Sequence, residues 1–177
     1  LVKGLGSSRE SARHGFVTCL SELLITVDIQ IGSTLTLIDE NTKITGSLKG
    51  AEERDFMFGK LFGYLSLIRS GKLQNDNENV LIIVDKLLEL HNRKGWIREV
   101  VGEAILNLFD VIDSDIITLI IPKLKLLLGN LVIADMTAWQ IMLCVGIQQY
   151  VHRTSAIKVS KEFVQFYLYL DVFCGGV

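Results

Sequence analysis

The chain has 177 residues, 49% apolar and 21% charged, with the single proline Pro122; this composition favours a folded, helix-rich chain over a disordered one. A formal charge of -2 excludes a chain that is basic throughout. The balance is +1 over residues 1–75, -3 over residues 76–130 and even beyond, so any nucleic-acid contact has to come from a local patch made by folding.

Leu1, not Met, opens the sequence, and the first residues look like the end of an element. The expectation is therefore a part of something longer, with no signal peptide visible. Ser7-Ser8-Arg9-Glu10 has capping-box spacing, in which Ser7 accepts from the Glu10 amide and Glu10 reaches back. Ala12, Phe16, Cys19, Leu20, Leu23 and Leu24 follow at helical spacing, which predicts an amphipathic helix over about 8–25. A second helix is expected over about 29–40, capped by Asp28, with a short strand over 33–38 as the alternative. The Asn-, Thr-, Ser- and Gly-rich run ENTKITGSLKG reads as a loop.

In the next helix Glu52, Glu53 and Asp55 gather in the first turn, where the exposed amide dipoles favour negative charge. Phe56, Leu61, Phe62, Leu65 and Ile68 recur at helical intervals, and Met57, Phe58 and Tyr64 widen the stripe almost around the cylinder. Such a helix is expected to be buried on two or more sides, ending at Gly71. Asn77 is expected to cap a helix with Val80, Ile83, Val84, Leu87, Leu88 and His91 on one side. After a break at 92–95, Trp96, Val100, Val101, Ala104, Ile105, Leu108, Phe109 and Ile112 form another stripe, and Trp96 and Trp139 both read as core residues. Asp113 is expected to cap a helix containing Ile116 to Leu128, which Pro122 kinks or truly starts. Helices are also expected over 131–150 and 159–173. The segment 131–147 is the most membrane-like, but Asp135 and Gln140 interrupt it and a buried helix is the expected outcome.

Seven or eight helices with short links and no convincing sheet predict an all-α fold. Stacked antiparallel pairs would make it an armadillo- or HEAT-like helical-repeat solenoid, with a globular bundle as the alternative. Residues 1–113 are expected to form an N-terminal helical-repeat segment and 114–177 a continuing helical segment.

The chemistry-bearing patterns are sparse. Gly59 and Gly63 form a GxxxG with Lys60 inside it and charges before it. It is neither GxxxxGK[ST] nor GxGxxG after a strand, so the missing side chains are expected to let another helix approach closely, with Phe58 and Phe62 packing beside them. Adjacent Glu52 and Glu53 diverge around the helix. His14, His91 and His152 lack metal-site spacing with one another or with Cys19, Cys144 and Cys174, which are expected to be buried free thiols in a reducing compartment. No catalytic, cofactor-binding or metal-binding residue is therefore expected. The candidate contact residues are basic: Arg9 and Arg13, four apart on one helix face, with Lys49, Arg54, Arg69 and Lys72. They would contact phosphates if the helices stack in pairs; the alternative is a solvated face with ion pairs such as Glu10 with Arg13.

Two segments, KGLGSSRESARHGFVTCLSELL (3–24) and GSLKGAEERDFMFGKLFGYLSLIRSGKL (46–73), resemble characteristic segments of the DNA polymerase V/Myb-binding protein 1A family. The matching residues are Gly4-Leu5, Ser8 to Arg13, Gly46 to Gly50, Glu53-Arg54-Asp55, Phe58-Gly59, Leu61-Phe62-Gly63 and Arg69-Ser70-Gly71. The resemblance implies an armadillo-like helical scaffold of the nucleus and nucleolus, acting in ribosome biogenesis: pre-ribosomal particle assembly and ribosomal RNA transcription and processing, not replication. It implies RNA, ribosomal DNA, ribosomal proteins and assembly proteins as partners, no cofactor and no membrane. A protein-interaction module regulating transcription factors is the alternative.

Overall fold

The computed structural model describes residues 1–48, 50–128 and 135–154, and every regular element among them is helical. Two compact units divide the chain, Leu1–Ile112 and Asp113–Val177. The first holds a short 3₁₀ turn at Val2–Gly6 and five α-helices: α1 (Glu10–Thr26), α2 (Ile31–Asn41), α3 (Ala51–Arg69), α4 (Asn77–Arg93) and α5 (Arg98–Phe109). A second 3₁₀ turn, Gly95–Ile97, links α4 to α5. The fold is an all-α bundle consistent with a helical-repeat-like arrangement.

The first unit is built around α3, which touches the N-terminal turn, α1, α2, α4 and α5. Its sequence explains that position. Met57, Leu61, Tyr64, Leu67 and Ile68 are all fully buried or nearly so, and they point in several directions around the cylinder. A helix with apolar residues on most sides is stable only when other helices surround it. By contrast α4 buries one stripe, Val80, Ile83, Val84, Leu87 and Leu90, while Glu78, Asp85 and Glu89 face water. Gly71 stands at φ +71° just past α3, and its amide donates to the Ile68 carbonyl at 3.2 Å, so it ends the helix as the sequence predicts.

Several helix starts differ from expectation. The Ser7 hydroxyl accepts from the Arg9 amide at 3.3 Å, not from Glu10, because Arg9 is extended and itself occupies the N-cap of α1. Ser7 thus lies two residues outside the helix and the capping box does not form. Asp28 does not cap α2 either; Gln30 holds the N-cap position without a side-chain bond. For α4 the cap is Asp76, whose carboxylate accepts from the Asn79 amide at 3.2 Å, and Asn77 is already the first helical residue. The alternative strand at 33–38 is replaced by α2. Trp96 is not a core residue: it is 45% exposed, and Ile97 fills the core position beside it.

In the second unit α6 (Ser114–Leu128) carries Pro122 in its interior, so proline does not mark its start. Ile116, Ile117, Ile120, Ile121, Leu124 and Leu128 are among its buried residues. α7 (Ala138–Thr154) begins seven residues later than expected. The Gln140 side-chain oxygen accepts from both the Thr137 amide at 2.8 Å and the Thr137 hydroxyl at 2.7 Å, which fixes the helix start there. The earlier part of the expected 131–150 helix and the expected 159–173 helix fall outside the described residues. Among the described residues no helix is long and apolar enough to cross a membrane. Cys144 is buried and its thiol is pushed up to about 12 by that burial, whereas Cys19 is exposed, contrary to expectation; Cys174 falls outside the described residues.

Candidate functional site

The two glycines of α3 take two different neighbours. A Cβ on Gly59 would lie 2.9 Å from the Gly6 amide nitrogen and 3.0 Å from the Leu5 carbonyl carbon, both backbone atoms of the N-terminal turn. A Cβ on Gly63 would meet Ile38 Cγ2 of α2 at 2.7 Å. The GxxxG is therefore a close-approach surface on a helix interior, with a 3₁₀ turn on one glycine and a helix on the other. Leu5, completely buried, anchors the turn in that notch.

About 120° around α3 from the seams lies a face that meets water at several positions, with Leu65 buried within it. At 100° per residue, Arg54, Phe58, Phe62 and Arg69 fall within a sector of about 80°. Both arginines are exposed and both phenylalanines half-buried. The rings form a continuous row across neighbouring elements. Phe58 and Phe62 stack with centroids 5.8 Å apart, Trp96 follows Phe58 at 5.3 Å, and His14 of α1 adjoins Phe62 at 5.8 Å. Among the described residues neither Arg54 nor Arg69 has a carboxylate partner in an ion pair.

Arg13 is placed differently from the other candidates. It is 7% exposed, and its guanidinium donates to Asp55 Oδ1 at 3.0 Å and to the Ser7 carbonyl at 2.6 Å. It also lies 5.6 Å from the Phe58 ring centroid. Its partner is Asp55 rather than Glu10, which instead approaches His14 at 3.9 Å. Arg9 stays exposed at the α1 N-terminus. Lys72 sends its ammonium to the Val27 carbonyl at the C-terminal end of α1, a contact that complements the negative helix end. Lys49 falls outside the described residues. Of the six basic candidates, α3 thus brings Arg54 and Arg69 onto one solvent face, and Arg13 becomes part of the interior beneath it.

Sequence reasoning missed a second polar cluster. Asp39 of α2 accepts from the Tyr64 hydroxyl at 2.6 Å, lies 3.2 Å from the Lys60 ammonium and also receives Lys86 of α4. Burial works against the Asp39 charge, but hydrogen bonds from Lys86 and Tyr64 and the charge of Lys60 outweigh it, so the carboxyl sits below its usual range. Burial and the same carboxylate push the Tyr64 phenol far above its usual range, so it remains a hydrogen-bond donor. The cluster is a clasp joining α2, α3 and α4. No linear spacing announces it: its members come from three helices, and only folding brings them together.

Among the described residues no group of three or more His, Cys, Asp or Glu side chains has the geometry to hold a metal ion. A model of the family described as DNA polymerase phi matches residues 1–165. The rDNA transcriptional regulator pol5 of Schizosaccharomyces pombe is 43% identical over 116 residues, covering 63% of this chain and 12% of its own length. The rDNA transcriptional regulator POL5 of Saccharomyces cerevisiae is 33% identical over 125 residues, covering 56% and 12%. Myb-binding protein 1A of Mus musculus is 30% identical over 132 residues, covering 74% and 10%. The chain thus spans only about a tenth of the length of these curated relatives. No solved structure matches it.

Proposed function

The chain belongs to the DNA polymerase phi family, and from that premise we propose that it is a non-enzymatic scaffold segment of a nucleolar protein acting in ribosome biogenesis. The observation that carries this reading is the 43% identity to a protein named for regulating rDNA transcription. The partners are pre-ribosomal RNA with its ribosomal and assembly proteins, and ribosomal DNA. The mechanism is surface presentation. The Gly59 and Gly63 seams, the Arg13–Asp55 pair and the Asp39 clasp fix α3 from within, so that Arg54, Phe58, Phe62 and Arg69 hold a constant relation outside. Further helices continue the array in armadillo- or HEAT-like fashion, each repeat burying the face its neighbour leaves open.

Sedimentation of nuclear extract tests this reading. The full-length protein is expected to travel with pre-ribosomal fractions and to shift to lighter ones after ribonuclease treatment. Its absence from every such fraction would overturn the assembly reading. A second reading, regulation of a transcription factor through peptide binding, is favoured by the 30% identity to a protein named for binding Myb. Salt separates the two, because contacts to phosphates weaken steeply as salt rises and an apolar peptide groove does not.

A further inference from the structure

The row His14–Phe62–Phe58–Trp96 is built from three segments far apart in sequence, yet its rings meet at 5.3–5.8 Å and stay in contact with water. A core would bury them; here Trp96 keeps 45% of its surface exposed. On α3 the row is bracketed by Arg54 and Arg69, about 22 Å apart along the helix axis. The sector between them carries no carboxylate: Glu52 and Glu53 project about 80° or more from each of its members, and Asp55 is buried against Arg13. Glu53 is in addition held by Lys94 at 3.2 Å. At the α1 end the Glu10 carboxylate lies 3.9 Å from His14; from Phe62 to Trp96 the stripe is aromatic, flanked by two arginines without acidic partners, and it complements a polyanion whose neutral parts are flat rings.

We propose that this face is a base-stacking platform for single-stranded RNA, with the aromatic row taking bases and Arg54 and Arg69 taking phosphates. The proposal rests on the scaffold reading and gives that scaffold its contact chemistry. Duplex bases are already stacked on one another and do not offer their faces, so the platform selects single strands. The rings stand too close to admit a base between them, because that needs about 7 Å, twice the stacking interval. Bases therefore lie against the outer faces of the row, with Trp96 offering the largest. Stacking of this kind is indifferent to base identity, since every base has a π-face. The buried guanidinium of Arg13, 5.6 Å from the Phe58 centroid, holds that ring in place.

A fluorescein-labelled uridine oligomer, titrated with the full chain and followed by polarisation, tests the platform. The single strand is expected to bind more tightly than an RNA duplex of equal length. Trp96→Leu is expected to weaken binding by about 5- to 100-fold, and Trp96→Phe to keep most of it. The double variant Arg54→Ala/Arg69→Ala is expected to weaken binding and to flatten the logarithmic salt slope by about 1.4. All three positions are exposed, so circular dichroism is expected to be unchanged in the variants. Equal affinity for duplex, or unchanged binding in both Trp96→Leu and the arginine double variant, would overturn the platform. So would a wild-type chain that ignores the oligomer while a protein partner is lost in Trp96→Leu. In any of these cases continued sedimentation with pre-ribosomal fractions would leave the scaffold reading standing, and loss of that sedimentation alone would remove the reading instead.

Discussion

Arg13 of α1 and Asp55 of α3 meet at 3.0 Å in the interior, 42 positions apart in the chain, with only 8% and 11% of their side chains exposed. The pair ties the first helix to the central one, and it converts a residue that the sequence offers as a surface contact into a structural one. Removing one partner leaves the other charge buried. Asp55→Ala is therefore expected to cost about 3–5 kcal/mol, and Arg13→Met/Asp55→Leu to recover most of that loss. Urea unfolding midpoints of the two variants check this. A single variant as stable as the double would show that the pair carries no coupling.

Gly59→Ala is expected to destabilise by about 1–3 kcal/mol, since even a methyl group must displace the backbone of the N-terminal turn. Gly15→Ala, at an exposed position of α1 with nothing near its Cβ, is expected to stabilise by about 0.5–1 kcal/mol. The opposite signs separate a packing glycine from a merely helical one, and chemical denaturation of both variants reads the difference.

The Asp39 clasp gives an acid dependence. Its carboxyl is held below the ordinary value of 3.8, so the unfolded chain takes up the proton first as pH falls. The stability it contributes is present above that value and is lost as pH drops through the folded one. Asp39→Ala is expected to cost about 1–3 kcal/mol at neutral pH and progressively less below 3.8. Unfolding midpoints of wild type and variant, compared across that range, are expected to converge at low pH.

His91 acts at a higher pH. Burial lowers its value from 6.5, with the charge of Arg98 adding and a hydrogen bond to Asn92 opposing. Between its folded value and 6.5 the unfolded chain binds more protons, so stability falls as pH drops through that window. His91→Gln is expected to flatten this part of the stability profile, which thermal unfolding at a series of pH values measures.

Periodicity made the helices legible because burial follows the 3.6-residue repeat. The near-complete apolar girdle around Phe56 to Ile68 predicted a surrounded helix, and α3 is the central one. Helix starts were harder, because a cap depends on the backbone just outside the helix. Asp76 and Asn77 are both capable caps, and only the chain's path from Leu73 chooses between them. The Thr137–Gln140 start of α7 was available as a Thr-x-x-Gln spacing and was masked by the apolar run around it. The surface was least legible. Arg9, Arg13, Arg54, Arg69 and Lys72 look alike in sequence, yet Asp55 and the Val27 carbonyl claim two of them. Trp96 looked like core because it sits in an apolar stripe, but the 3₁₀ turn at Gly95–Ile97 rotates it outward and gives its place to Ile97.

Residue-resolved crosslinking of the full-length protein in purified nucleolar particles, reading RNA and protein adducts together, tests the RNA-contacting scaffold most directly. RNA adducts at Arg9, Arg54, Phe58, Arg69 or Trp96 are the predicted result. Protein adducts alone across this segment would contradict it, and would make the chain a docking platform whose RNA contacts lie elsewhere in the protein.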